Sequence, residues 1–153
     1  MESLVYNSPI GPLLIRSEEG AITEVSFAGD GSVSTGGGDC DALRKCAAEF
    51  DSYFDGKLKG FTVPLKLIGT DFRKKCWEAL QTIPYGETIN YKQLAEKVGN
   101  PKASRAVGGA NHHNPIVVIV PCHRVIGANG SLTGFGGGLD KKQFLLELEK
   151  KFK

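Results

Sequence analysis

Residues Asn114 to Val125 read "NPIVVIVPCHRV". Five branched apolar residues, Ile116 to Val120, lie between Pro115 and Pro121. A run with no polar face has to be buried, and a short one bounded by prolines predicts a fully buried strand. The residues that follow it then stand at the edge of a core. Cys122 in that position is either a packed small hydrophobe or a nucleophile. A free thiol titrates near ~8.5, so it needs a base or a positive neighbour to react at neutral pH. His123 is a candidate base, but adjacent side chains on extended chain point to opposite sides. A bridging water is therefore the natural link, and a carboxylate elsewhere in the chain would fix the imidazole. Glu149 is an acid in the right half of the sequence, although an acid beside an apolar helical stripe is ordinarily solvated.

A core of this kind needs enough chain to enclose it. The 153 residues, 41% hydrophobic and 24% charged, suffice for one ordinary domain or two small lobes. No stretch is long enough to cross a bilayer, and the N-terminus lacks the pattern of a cleaved signal, so a cytoplasmic location is expected. Cys40, Cys46, Cys76 and Cys122 form no CxxC pair, which favours reduced thiols. His112 and His113 precede the Cys122–His123 pair at a spacing unlike familiar zinc sites, so no metal is expected. Charge is divided unevenly. Residues 1–68 hold 6 Lys+Arg and 10 Asp+Glu, a net −4, whereas residues 69–153 hold 13 and 7, a net +6. The basic half is a reason to consider an anionic polymer as partner.

The chain before residue 68 alternates apolar stretches with turn signals, Asn7–Ser8–Pro9, Gly11–Pro12 and Glu19–Gly20, which predicts short antiparallel strands. After the glycine-rich loop "GDGSVSTGGGD", apolar residues at Leu43, Cys46, Ala47, Phe50 and Phe54 predict a helix that stops at Gly56. Past residue 69, "TDFRKKCWEALQTI" predicts a helix capped by Thr70, with Phe72, Cys76 and Leu80 facing the core and Trp77 beside them. Asn90, with Gln93 three residues later, predicts the start of another, broken at Gly99–Asn100–Pro101. A short helix from Lys102 to about Gly109 follows, so the pair resembles a helix-turn-helix. Ala103, Ser104, Ala106, Gly108, Gly109 and Ala110 are small. They suit either close approach to an external surface or tight helix–helix packing. The C-terminal helix is expected to start with Asp140 as N-cap and to bury Phe144, Leu145, Leu148 and Phe152.

"PCHRV", preceded by "NPKASRAVGGANHHNP" and followed by "GFGGGLDKKQFLLELE", resembles the O6-alkylguanine-DNA alkyltransferase family. The likeness extends from "GTDFRKKCWEALQTIPYGETINYKQLAEKVGN" to Glu149, with a looser match over the first 68 residues. It implies an α+β fold: a small N-terminal antiparallel-sheet lobe, ribonuclease H-like, over 1–68, and a mainly helical, winged-helix-like lobe with a helix-turn-helix over 69–153. It implies direct reversal of DNA damage, with a methyl or alkyl group moved from guanine O6, and from thymine O4, to Cys122 in one irreversible turnover after base flipping. Within that resemblance His123 is the base acting through water, Glu149 completes the relay, and Asn114 ties the helix-turn-helix to the reactive loop. Tyr91 helps rotate the base and protonate the leaving guanine, and Arg105 fills the gap left in the duplex. The second helix, with Ala106 and Gly108, enters the minor groove of double-stranded DNA. Val125, Gly136, Phe135 and Lys142 are expected among the residues that meet the base or the DNA. Many relatives carry tyrosine where Phe135 stands and some carry serine where Gly136 stands, so tolerance for bulky alkyl groups is expected to differ. No cofactor is expected, and the free protein is expected to be a monomer.

Three rivals make different predictions. A non-reactive relative that only binds alkylguanine would carry another residue at Cys122, commonly tryptophan. A helix-turn-helix regulator leaves "PCHRV" unexplained, and a cysteine hydrolase would need an oxyanion site that nothing in the sequence suggests.

Overall fold

The computed structural model describes residues 2–28, 41–130 and 138–153. The chain forms two compact units: Met1–Ile68 together with Pro115–Val117, and Gly69–Asn114 together with Val118–Lys153.

In the first unit β1 (Glu2–Ser8), β2 (Gly11–Glu18) and β3 (Ala21–Phe27) form an antiparallel sheet in that order. The β2–β3 hairpin turns at Glu19 and Gly20, both at positive φ (52° and 80°), the backbone sign that a two-residue turn needs to match strand twist. Leu13, Ile15, Ile22 and Val25 are buried on the sheet, and Leu43, Cys46, Phe50 and Tyr53 on α1 (Asp41–Phe54). The expected strand over Ile116–Val120 does not form. Only Ile116 bridges β3, opposite Val25, through Val25 N–H to the Pro115 carbonyl at 2.9 Å and Val117 N–H to the Val25 carbonyl at 3.0 Å. The chain then turns, with Val118 at φ 71°. A β-branched residue there is strained, by about 1–3 kcal/mol. Burial of Ile116, Val118, Ile119 and Val120 offsets that cost. The apolar run correctly signalled burial, but burial does not require a strand.

The second unit holds α2 (Asp71–Leu80), α3 (Tyr91–Lys97), α4 (Ser104–His112) and α5 (Leu139–Phe152). A 3-10 turn at Cys122–Arg124 leads into β5 (Val125–Ile126), which pairs in parallel with β4 (Ile89–Asn90). Thr70 caps α2 by accepting from Arg73 N–H at 3.2 Å. Asn90 and Gln93 form a full capping box, both bonds at 2.8 Å, satisfying two end donors at once. Trp77 is buried on α2 and its indole N–H donates to the Ala110 carbonyl of α4 at 2.9 Å. Gly69 makes room for it, since a Cβ there would fall 2.7 Å from the Trp77 ring. Among the described residues no helix is long and apolar enough to cross a membrane.

Expectations for three helices need correction. Phe72 is 37% exposed, so α2 buries Cys76, Trp77 and Leu80 instead. α4 begins two residues later than expected and runs on to His112. α5 has Gly138 at its N-cap, with no side-chain cap, and Asp140 lies inside its first turn, where a carboxylate still favours the helix dipole. The α5 stripe also differs: Phe144 is 38% exposed, and the buried positions are Lys142, Leu145 and Glu149.

Candidate active site

Two charged residues on the inner face of a helix require partners, because an unpaired buried charge costs several kcal/mol. The 3-10 turn supplies the partners for Glu149. His123 Nε2 lies 2.6 Å from Glu149 Oε2. Arg124 Nε donates to Oε1 at 2.8 Å and Nη2 to Oε2 at 3.1 Å. Gly86 N–H also points to Oε1, at 3.4 Å. Glu149 is only 1% exposed. Burial alone would raise its carboxyl, but the hydrogen bonds and charges of His123 and Arg124 outweigh that and hold it well below the usual carboxylate range. An ionised carboxylate only accepts, so His123 Nε2 carries the hydrogen and Nδ1 keeps its lone pair. That Nδ1 is buried and has no hydrogen-bond partner among the described residues. Burial pushes the imidazole below its ordinary value, against the pull of Glu149. The ring is thus held neutral, with a basic nitrogen to spare.

Cys122 opens the same turn and is 3% exposed. Burial pushes its thiol up, while a hydrogen bond from Asn114 and the charge of Lys142 favour the thiolate. Asn114 also donates from Nδ2 to the Val120 carbonyl at 2.7 Å, which holds the strained approach to Pro121. Lys142 is fully buried and its ammonium donates to the Val125 carbonyl at 2.6 Å. Lys142, expected among the residues that meet the base or the DNA, has its ammonium turned inward, beside Cys122.

The structure thus brings Cys122, His123, Glu149, Asn114, Lys142 and Val125 together in one unit. Tyr91 is the first residue of α3, half-buried, and a methyl on Gly108 would sit 3.7 Å from its ring. On α4, Arg105, Ala106 and Gly109 are exposed while Val107 and Ala110 are buried. Phe135 and Gly136 lie outside the described residues. Two participants were not anticipated. Arg124 is one; arginine is ordinarily exposed, and its partners Glu149 and Ile83 are remote in the chain, so local sequence did not mark it. Asn111 is the other, buried with Nδ2 directed at the Cys122 carbonyl at 3.4 Å, and nothing in the local sequence marked it.

Comparison with known proteins identifies the family. The model of the 6-O-methylguanine DNA methyltransferase DNA-binding domain matches residues 71–151, and that of the same proteins' ribonuclease-like domain matches residues 3–67. The chain belongs to the 6-O-methylguanine DNA methyltransferase family. Within this family, the methylated-DNA–protein-cysteine methyltransferase of Methanosarcina acetivorans is 49% identical over 149 residues, covering 95% of this chain and 96% of the relative. That of Mycobacterium leprae is 48% identical over 147 residues, covering 94% and 89%. Among solved structures, Mycobacterium tuberculosis OGT in complex with DNA superposes with a TM-score of 0.89 at 46% identity, covering 98% of this chain and 93% of that one. For this methyltransferase family member, then, the resemblance carried by "PCHRV" extends along nearly the whole chain.

Proposed function

We propose that the protein repairs alkylated DNA by moving an alkyl group from O6 of guanine, and from O4 of thymine, onto the sulfur of Cys122. The observation that carries this is the buried His123–Glu149 pair beside a nearly buried cysteine. Glu149 holds the imidazole with Nδ1 free to accept, and through a water His123 takes the thiol proton. The thiolate attacks the alkyl carbon in line, the carbon–oxygen bond breaks, and the electron pair leaves with the guanine. Tyr91 protonates that leaving group and is reprotonated from solvent. A thioether has no comparable leaving group, so Cys122 is not regenerated and each chain acts once.

A sulfur 3% exposed cannot reach a group held in stacked duplex. The target base is therefore everted first, at a cost of a few kcal/mol. Arg105 occupies the gap in the stack, and α4 lies in the minor groove. The small residues of α4 support this placement: Gly109 has no neighbouring atom within 4 Å of a Cβ built there, so it is not small for internal packing. Gly109→Leu is expected to leave thermal stability unchanged or raised by up to ~1 kcal/mol through helix propensity. It is expected to weaken duplex binding by roughly tenfold or more, ~1.4 kcal/mol, read by fluorescence anisotropy. Unweakened binding would remove α4 from the groove.

The deciding experiment is intact mass spectrometry after incubation with duplex containing O6-methylguanine. One added methyl per chain is expected, with repair stopping when protein is exhausted. Many methyl groups removed per chain would overturn the proposal.

A further inference from the structure

The transfer chemistry above makes no use of Arg124, yet this side chain is 8% exposed and every nitrogen of its guanidinium is engaged. Besides the two bonds to Glu149, Nη1 donates to the Ile83 carbonyl at 2.7 Å. The guanidinium carbon lies 5.7 Å from the centre of the Tyr85 ring. An arginine fixed in this way is not available to a phosphate. Its fork grips both oxygens of the carboxylate that also touches His123.

The two contacts on Glu149 act in opposite senses. A buried carboxylate 2.6 Å from an imidazole favours the imidazolium. A histidine that is already protonated at rest cannot accept a proton from Cys122. Glu149 therefore has to orient His123 without charging it; burial of the ring works in that direction first, and a second cation on the same carboxylate adds to it. We propose that Arg124 is a positioning residue of the transfer reaction: it aims Glu149 at His123 and cancels its charge, so that the imidazole waits as the free base. This rests on the alkyl-transfer chemistry proposed above. The charged groups acting on His123 are Glu149 and Lys142 from α5 and Arg124 from its own turn. α2, which packs on the same turn, buries one ionisable side chain, Cys76. Of the two nearby cations, Arg124 is bonded to Glu149, whereas Lys142 interacts with Cys122. The division leaves one positive charge paired with the carboxylate and one facing the sulfur.

Charge and hydrogen bonding can be separated by substitution. Arg124→Gln keeps a donor for Glu149 but no charge; Arg124→Lys keeps the charge but loses the fork. The chain has three histidines, so a sample labelled with nitrogen-15 at histidine gives few ring signals, and His123 is assigned by its loss in His123→Asn. In Arg124→Gln the His123 ring is expected to protonate at a pH at least about one unit higher than in the wild type, a tenfold change in its acidity. The acid limb of the single-turnover transfer rate should move by the same amount, with activity recovered at higher pH. Arg124→Lys should stay near the wild type in both measurements. A rate lowered equally at every pH, with His123 titrating as in the wild type, would leave Arg124 a purely structural role and overturn the proposal. If Arg124→Gln does not fold, Arg124→Lys decides: a titration displaced upward by a full unit despite the retained charge overturns it. Methyl uptake by the wild-type protein, measured alongside, tests the transfer chemistry separately, since the His123 titration is read without DNA.

Discussion

Cys122→Ser is expected to take up no methyl from O6-methylguanine duplex while folding and binding DNA like the wild type. The substitution changes one atom at a position 3% exposed, so packing around Pro121 and Val125 is preserved. The chemistry is not. A thiol gives some thiolate at neutral pH even before its site assists, and sulfur is a strong nucleophile. A serine hydroxyl ionises far above this range, and a neutral imidazole held by Glu149 is too weak a base to activate it toward an alkyl carbon. Intact mass and anisotropy measured on the same preparation make the comparison. Methyl uptake by Cys122→Ser would move the acceptor elsewhere, and Cys46 and Cys76, both buried free thiols, would be the next to map.

Removal of the Glu149 carboxylate is expected to have the largest effect on stability. Glu149→Gln leaves the Arg124 guanidinium buried without its counter-charge, and breaking a buried pair in this way costs about 3–5 kcal/mol. For a chain of this length that corresponds to a fall in Tm on the order of 10 °C. The pH dependence follows from the direction of the Glu149 shift. Its carboxyl titrates lower in the folded protein than in the unfolded chain. The stability it contributes is therefore complete above the unfolded value near ~4.3 and is lost as pH falls toward the folded one. The gap between wild type and Glu149→Gln, measured by urea unfolding, should be full at pH 6 and narrow progressively below about pH 4. A gap that stayed constant into the acid range would mean that His123 and Arg124 do not stabilise the anion. In the same assay Glu149→Gln should transfer methyl more slowly, because His123 loses the group that directs its tautomer.

Several parts of this protein were legible from local sequence. The caps at Thr70 and at Asn90–Gln93 formed as expected, because a capping bond involves residues only three apart. The same holds for the hairpin turn at Glu19–Gly20. The apolar run before Cys122 is buried, as a run without a polar face requires, and "PCHRV" with its flanking motifs suffices to indicate the family. At α4 the local pattern was ambiguous, since small residues serve a helix interface and an external surface equally well. The structure separates the two by leaving Ala106 and Gly109 exposed and Val107 and Ala110 buried.

By itself, then, the sequence determined the hairpin strands, the helices and their approximate ends, and it singled out Cys122 and His123 as candidates for chemistry. Each depends on backbone preferences or side-chain bonds spanning a few residues. Only the tertiary structure decided that Ile116–Val120 would turn at Val118 rather than extend, that Phe144 would face outward, and that Lys142 and Glu149 would face inward. These outcomes depend on partners remote in the chain: Glu149 is 26 residues from His123 and 25 from Arg124. A carboxylate on a helix flank is solvated unless some other segment delivers donors to it, and periodicity carries no record of where those donors come from.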